Sequence, residues 1–187
     1  MPSYSLSELA GTMAAVERTM TSMFNDPSRL QVSSVFMSAT VLYFSDKQLE
    51  VYMYKDDIGD IQDQLKDFVK NAREQRSAEL VCVTNFSETW ALLHANITPD
   101  EAKAYVTGTS TRSISENPNR EEFFTSSSFV KKPDGSGIST LSLMYKINRS
   151  PEGIPSIGEL PTETFDSTKD GTTPGGRVYD IICSLFE

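Results

Sequence analysis

The sequence predicts an α+β fold: a single antiparallel sheet of about five strands, two hairpins among them, with helices packed on one face. Three observations lead there. Apolar residues between Leu6 and Met23 recur at helical spacing, and two pairs of β-rich runs are each joined by a short polar turn. The element order, helix, two strands, helix, then three or more strands, favours hairpins over parallel crossovers.

A capping arrangement opens the chain. Ser5 and Glu8 stand three apart, so each side chain can satisfy the other's backbone donor, and a helix is expected to begin there. Leu6, Leu9, Met13, Val16, Met20 and Met23 then step by three and four, which gathers them into one narrow stripe. Such a stripe serves either to pack on the chain's own sheet or as a seam for self-association. Asn25-Asp26-Pro27 ends the helix, because the residue before a proline is pushed out of the helical region.

Val35 to Phe44 and Leu49 to Tyr54 are rich in β-branched and aromatic residues, and Ser45-Asp46-Lys47-Gln48 between them predicts the first hairpin. In its second strand Leu49, Val51 and Met53 alternate with Glu50, Tyr52 and Tyr54, so one face should be core and the other partly wet. Asp56, Asp57 and Asp60 complement the positive end of a second helix, and Lys66, Lys70, Arg73 and Arg76 the negative end. Its apolar face is Ile58, Ile61, Leu65, Phe68, Val69 and Ala72.

Glu79 to Leu92 reads as a long strand, apolar enough at Leu80 to Val83 to be central. A Thr-Pro-Asp-Glu start signal predicts a short helix over Thr98 to Tyr105, whereas Thr107 to Ser115 has no periodicity. Glu122 to Lys131 and Ser139 to Asn148 form the second expected hairpin, joined by Lys132-Pro133-Asp134-Gly135-Ser136-Gly137. Between Ser150 and Gly176 proline, glycine, threonine and serine dominate, which predicts an extended or mobile loop with little to offer a core. Val178, Ile181, Ile182, Leu185 and Phe186 regain helical spacing and should dock back. The 187 residues, 38% of them hydrophobic, suffice for one core. A single domain over 1–187 is therefore expected: N-terminal helix 1–27, α+β core 28–148, loop 150–176 and docking segment 177–187.

Twenty-six acidic against 17 basic residues give a net charge of −9, which opposes phosphate backbones and anionic headgroups; direct nucleic-acid binding is disfavoured. No apolar run approaches a membrane span, and the N-terminal segment, carrying Glu8 and Glu17, lacks the pattern of a signal peptide. A cytoplasmic location is expected. Cys82 and Cys183 each sit in an apolar stretch and read as buried free thiols, and the sequons at Asn85, Asn96 and Asn148 read as chance.

The residues expected to carry chemistry are few. One histidine, His94, rules out a multi-histidine metal site, and no glycine-rich loop with the required lysine lies between a strand and a helix. No catalytic residues, cofactor or metal ligands are assigned. Carboxylates alone can hold Mg²⁺, with candidates in Asp56, Asp57 and Asp60 and in Glu116, Glu121 and Glu122, but helix electrostatics already explains the first group.

Two segments stand out. Ser87-Glu88-Thr89-Trp90 ends a strand on the only tryptophan, and Ser115-Glu116-Asn117-Pro118-Asn119-Arg120-Glu121-Glu122 is a charged, proline-centred turn entering the next strand. If the strands pair, Arg120 can meet Glu88 and cover the Trp90 ring. Glu88, Trp90, Glu116, Arg120 and Glu122 are accordingly the candidate binding residues, with a register-setting clamp as the structural role of the same group.

The pattern Ser-Glu-x-Trp, a variable loop, then Ser-Glu-x-Pro-x-Arg-x-Glu resembles one in small uncharacterised proteins of phages and bacteria. It is carried here by Ser87, Glu88 and Trp90, then Ser115, Glu116, Pro118, Arg120 and Glu122, and extends loosely over Val35 to Ile147. The resemblance implies a compact phage-like domain and no assigned activity. Three functional readings follow. The first is a non-enzymatic interaction protein, encoded by a phage or mobile element, acting through a protein partner or as a homo-oligomer. The second is a small-ligand or nucleotide-binding domain with Trp90 and Arg120 lining a pocket. The third is a carboxylate-metal hydrolase using Glu116, Glu121 or Glu122.

Overall fold

The computed structural model describes residues 4–26, 28, 38–54, 61–93, 96–169 and 177–186. Expectations placed on Val35, Asp56, Asp57, Ile58, Asp60, His94 and residues 170–176 lie outside these. The order is α1 (Leu6–Phe24), β1 (Ala39–Phe44), β2 (Leu49–Met53), α2 (Ile61–Glu74), β3 (Leu80–Ala91), α3 (Pro99–Val106), a 3-10 turn (Ile114–Glu116), β4 (Glu121–Lys131), β5 (Ile138–Lys146), β6 (Asn148–Arg149), β7 (Pro155–Ser156), β8 (Glu163–Asp166) and α4 (Arg177–Leu185). Six strands form one sheet in the order β2-β1-β3-β4-β5-β8, every neighbouring pair antiparallel. The α+β class and the antiparallel sheet are as the sequence predicts.

Helices cover both faces of this sheet, not one. β1 shows why: all six of its residues are buried, and because side chains alternate along a strand, both sides of it must be covered. Ala39, Val41 and Tyr43 join a core with Leu9, Met20 and Phe24 of α1, whereas Leu42 and Phe44 join one with Leu65, Val69 and Ala72 of α2 and Ile182 and Leu185 of α4. A bulge between Tyr43 and Phe44 shifts the β1–β3 register, so Phe44 pairs with Leu80 on the α2 side.

Local chemistry sets the helix ends. Ser5 and Glu8 form the expected capping box, and Glu8 also pairs with Lys47 at 2.8 Å, which ties α1 to the β1–β2 turn. The Lys47 ammonium first, then the Ser5 donors, hold the Glu8 carboxyl down at about 2. Along α1 the buried stripe runs Leu9, Met20, Phe24, with Met13 and Val16 packed against it, and faces the chain's own sheet. Leu6 and Met23 are exposed. The stripe continues from Met20 by four residues to Phe24, whose ring lies 5.0 Å from that of Phe124, and this step turns Met23 away from the sheet.

The sixth strand comes from the stretch expected to be an extended loop. β8 pairs its backbone with Leu141–Met144 of β5, β6 and β7 form a separate two-stranded ladder, and Ile157 is buried. Asn25 fastens this stretch to α1, donating to the Ile157 carbonyl at 3.0 Å and accepting from its N–H at 2.8 Å. Cys82 is buried, with its thiol pushed up to about 12 by desolvation, while Cys183 is half-buried; both are free. No described helix is long and apolar enough to cross a membrane.

Candidate functional site

The β3–β4 pairing brings the two singled-out segments together at one end of the sheet. Trp90 pairs in register with Glu122, Ala91 with Glu121 and Glu88 with Phe124. Glu88 and Trp90, two apart, share the α1 face.

The turn that delivers Arg120 is built on Asn117, one of the few buried polar residues. Its carbonyl accepts from Arg120 N–H at 3.1 Å, closing a four-residue turn with Pro118 at the second position, where its fixed φ is preset. Its side-chain oxygen accepts from Asn119 N–H at 2.8 Å, and its side-chain amide donates to the Tyr105 hydroxyl of α3 at 3.0 Å. Arg120 leaves this knot with Nη1 donating back to the Asn117 carbonyl at 3.4 Å, and its guanidinium carbon stands 5.5 Å from the centre of the Trp90 ring. The ring is 46% exposed. The result is a braced aromatic surface, one face of it under a cation.

The carboxylates around it are held apart. Glu122 accepts from Arg149 Nε at 2.7 Å. Glu121, its neighbour on β4, points to the opposite sheet face, where it pairs with Lys146 at 2.8 Å and accepts from Asn96 at 2.8 Å. Lys146 keeps the Glu121 carboxyl below the usual range. Glu116 accepts from Ser113 N–H at 3.0 Å, and that bond lowers its carboxyl as well. Glu116, Glu121 and Glu122 therefore each answer a different partner, and among the described residues no group of three or more His, Cys, Asp and Glu converges as metal ligands would.

A second feature lies on the α1 face, beyond the helix. Between α1 and the β4–β5 half of the sheet runs a groove of about 330 Å³, floored by Ser126, Ser128, Leu141, Leu143 and Tyr145 and bordered by Leu160 and Pro161. Ala10, Ala14 and Glu17 of α1 form its wall, at the i, i+4, i+7 spacing of one helix stripe. Glu17 is half-buried, and its Oε1 is fully buried and makes no hydrogen bond of ordinary geometry among the described residues. Burial pushes its carboxyl up, against the opposing effect of the adjacent Ser126 and Tyr145 hydroxyls. The sequence reading misses both Asn117 and Glu17. The signal for Glu17 was present as an acid on the flank of an otherwise apolar and alanine-lined helix face.

Comparison of the chain with protein-family models, with curated proteins and with solved structures finds no match.

Proposed function

We propose that the chain is a non-enzymatic binding protein that engages a protein partner through the Trp90–Arg120 end of its sheet. One observation supports this above others: the only tryptophan is half-exposed yet held in place by an arginine that is itself anchored in a buried-asparagine turn. Tryptophan and arginine dominate the energetics of protein interfaces, and an anchor fixed beforehand loses little entropy on binding. The ion pair Glu122–Arg149, on the same face as Trp90, supplies part of a polar rim. With a net charge of −9, the partner this surface suits offers an apolar slot bordered by basic groups. The motif resemblance to phage and bacterial proteins fits a partner from the host cell. A nucleotide base would have to displace Arg120 to stack on the covered face of Trp90, so the protein reading is preferred.

Immobilised wild-type chain should capture a discrete protein from a lysate of its source cell. Trp90→Ala should weaken that capture about thirtyfold or more, Trp90→Phe should retain part of it, and circular dichroism should stay that of the wild type. Capture unchanged by Trp90→Ala and by Arg120→Ala contradicts the reading. A dimer in light scattering that both substitutions convert to monomer would assign the surface to a second copy of the chain.

A further inference from the structure

The groove beside α1 has the composition of a small-molecule site and lies on a different set of residues from the Trp90 surface. Its volume of about 330 Å³ falls at the small end of ligand pockets. Where a helix packs on a sheet, large side chains normally fill the flanking space; here the helix presents Ala10 and Ala14, both exposed, and the space stays open. At the mouth Leu160 is 81% exposed, an apolar side chain with little covering it. The apolar surface of Met13, Leu141 and Leu143 leads to the Glu17 carboxylate, whose Oε1 makes no hydrogen bond of ordinary geometry among the described residues and has only the neutral Ser126 and Tyr145 hydroxyls close by.

A carboxylate in an apolar groove with only neutral hydroxyls beside it is costly, and a donor with positive charge relieves that cost best. We propose that this groove binds a small amphipathic primary amine, its ammonium donating to the Glu17 carboxylate and its hydrocarbon part lying along Met13, Leu141, Leu143 and Leu160. The Ser126 and Tyr145 hydroxyls flank the head group. Anionic ligands are disfavoured by Glu17 and by Glu159, which also borders the groove; Arg18 is the cation on its rim.

The groups facing Glu17 are Tyr145 from β5 and, more remotely, Tyr43 from β1, both hydroxyls driven up in pKa by burial, with Arg18 and Glu159 at the rim. Because burial raises the folded-state value of Glu17, the folded chain holds this proton over a pH range in which the unfolded chain has released it. Glu17 therefore contributes a loss of stability as pH rises above the ordinary glutamate range toward its folded value, and the cost persists above it. Amine affinity runs the opposite way, rising as Glu17 ionises.

The test uses n-hexylamine, with n-hexanol and hexanoate as controls, read by methyl-region NMR and by thermal melting of the full chain. Hexylamine should shift the methyl signals of Met13, Leu141 and Leu143 and raise the melting midpoint, hexanol should do so more weakly, and hexanoate not at all. Glu17→Gln should weaken hexylamine binding roughly tenfold or more, leave hexanol binding in place, and raise the midpoint of the free chain at neutral pH. Ala14→Phe, which fills the groove without touching the charge, should abolish both. Binding of hexanoate as tight as that of hexylamine, or hexylamine shifts that survive Glu17→Gln and Ala14→Phe, would overturn the proposal, as would no shift with any of the three compounds.

Discussion

Replacing Phe124 with alanine lowers the unfolding free energy by about 3–5 kcal/mol. The residue is fully buried, and its ring lies 5.0 Å from Phe24, 6.0 Å from Phe86 and 6.1 Å from Tyr145. It therefore joins α1 to three adjacent strands, and the cavity left behind is walled by a hydrogen-bonded sheet that cannot collapse into it. Urea titration should show a lower midpoint with an unchanged slope. A loss below about 1 kcal/mol would mean that α1 does not rest on this face as described. The substitution bears on function as well, because Phe124 pairs in register with Glu88, two residues before Trp90 on β3.

Ile182→Ala costs roughly 2–5 kcal/mol, on the opposite face. Ile182 of α4 is fully buried and sits in the core made with Leu65, Val69 and Ala72 of α2. A second contact holds the same helix, Arg73 Nη1 donating to the Leu185 carbonyl at 2.8 Å. The two act on one docking event, so Ile182→Ala and Arg73→Ala should combine to less than the sum of their separate effects. Hydrogen exchange should show α4 amides losing protection ahead of those of β3. Equal loss in both would mean that α4 unfolds only with the sheet.

Most of this fold is legible in the sequence because most of its elements carry a local signal. The capping boxes at Ser5 and Thr98, the turn residues between β4 and β5 and the helical spacing of the last apolar residues each dictate structure over a few residues. Coverage of both faces has a signal too, in the unbroken run Ala39-Thr40-Val41-Leu42-Tyr43-Phe44, since a strand wet on one side would alternate. β8 has none. Glu163-Thr164-Phe165-Asp166 is short and largely exposed, and it is a strand only because β5 offers an open edge to its backbone.

The site divides in the same way. Trp90 and Arg120 are conspicuous in the sequence, and antiparallel pairing of their strands is enough to bring them together. Asn117 and Glu17 are not, because the importance of each comes from burial. One is an ordinary turn residue until Tyr105 and the backbone close around it, and the other an ordinary helix acid until the sheet removes its water.

The most direct test of the binding surface is site-specific photocrosslinking in the source cell. A photoreactive phenylalanine replaces Asn119, which is exposed and precedes Arg120, and in a control chain it replaces Lys70, exposed on α2. A discrete protein adduct is expected from position 119, lost when Trp90→Ala is added, and none from position 70. The same adduct from both positions, or one from position 119 that persists without Trp90, would contradict it.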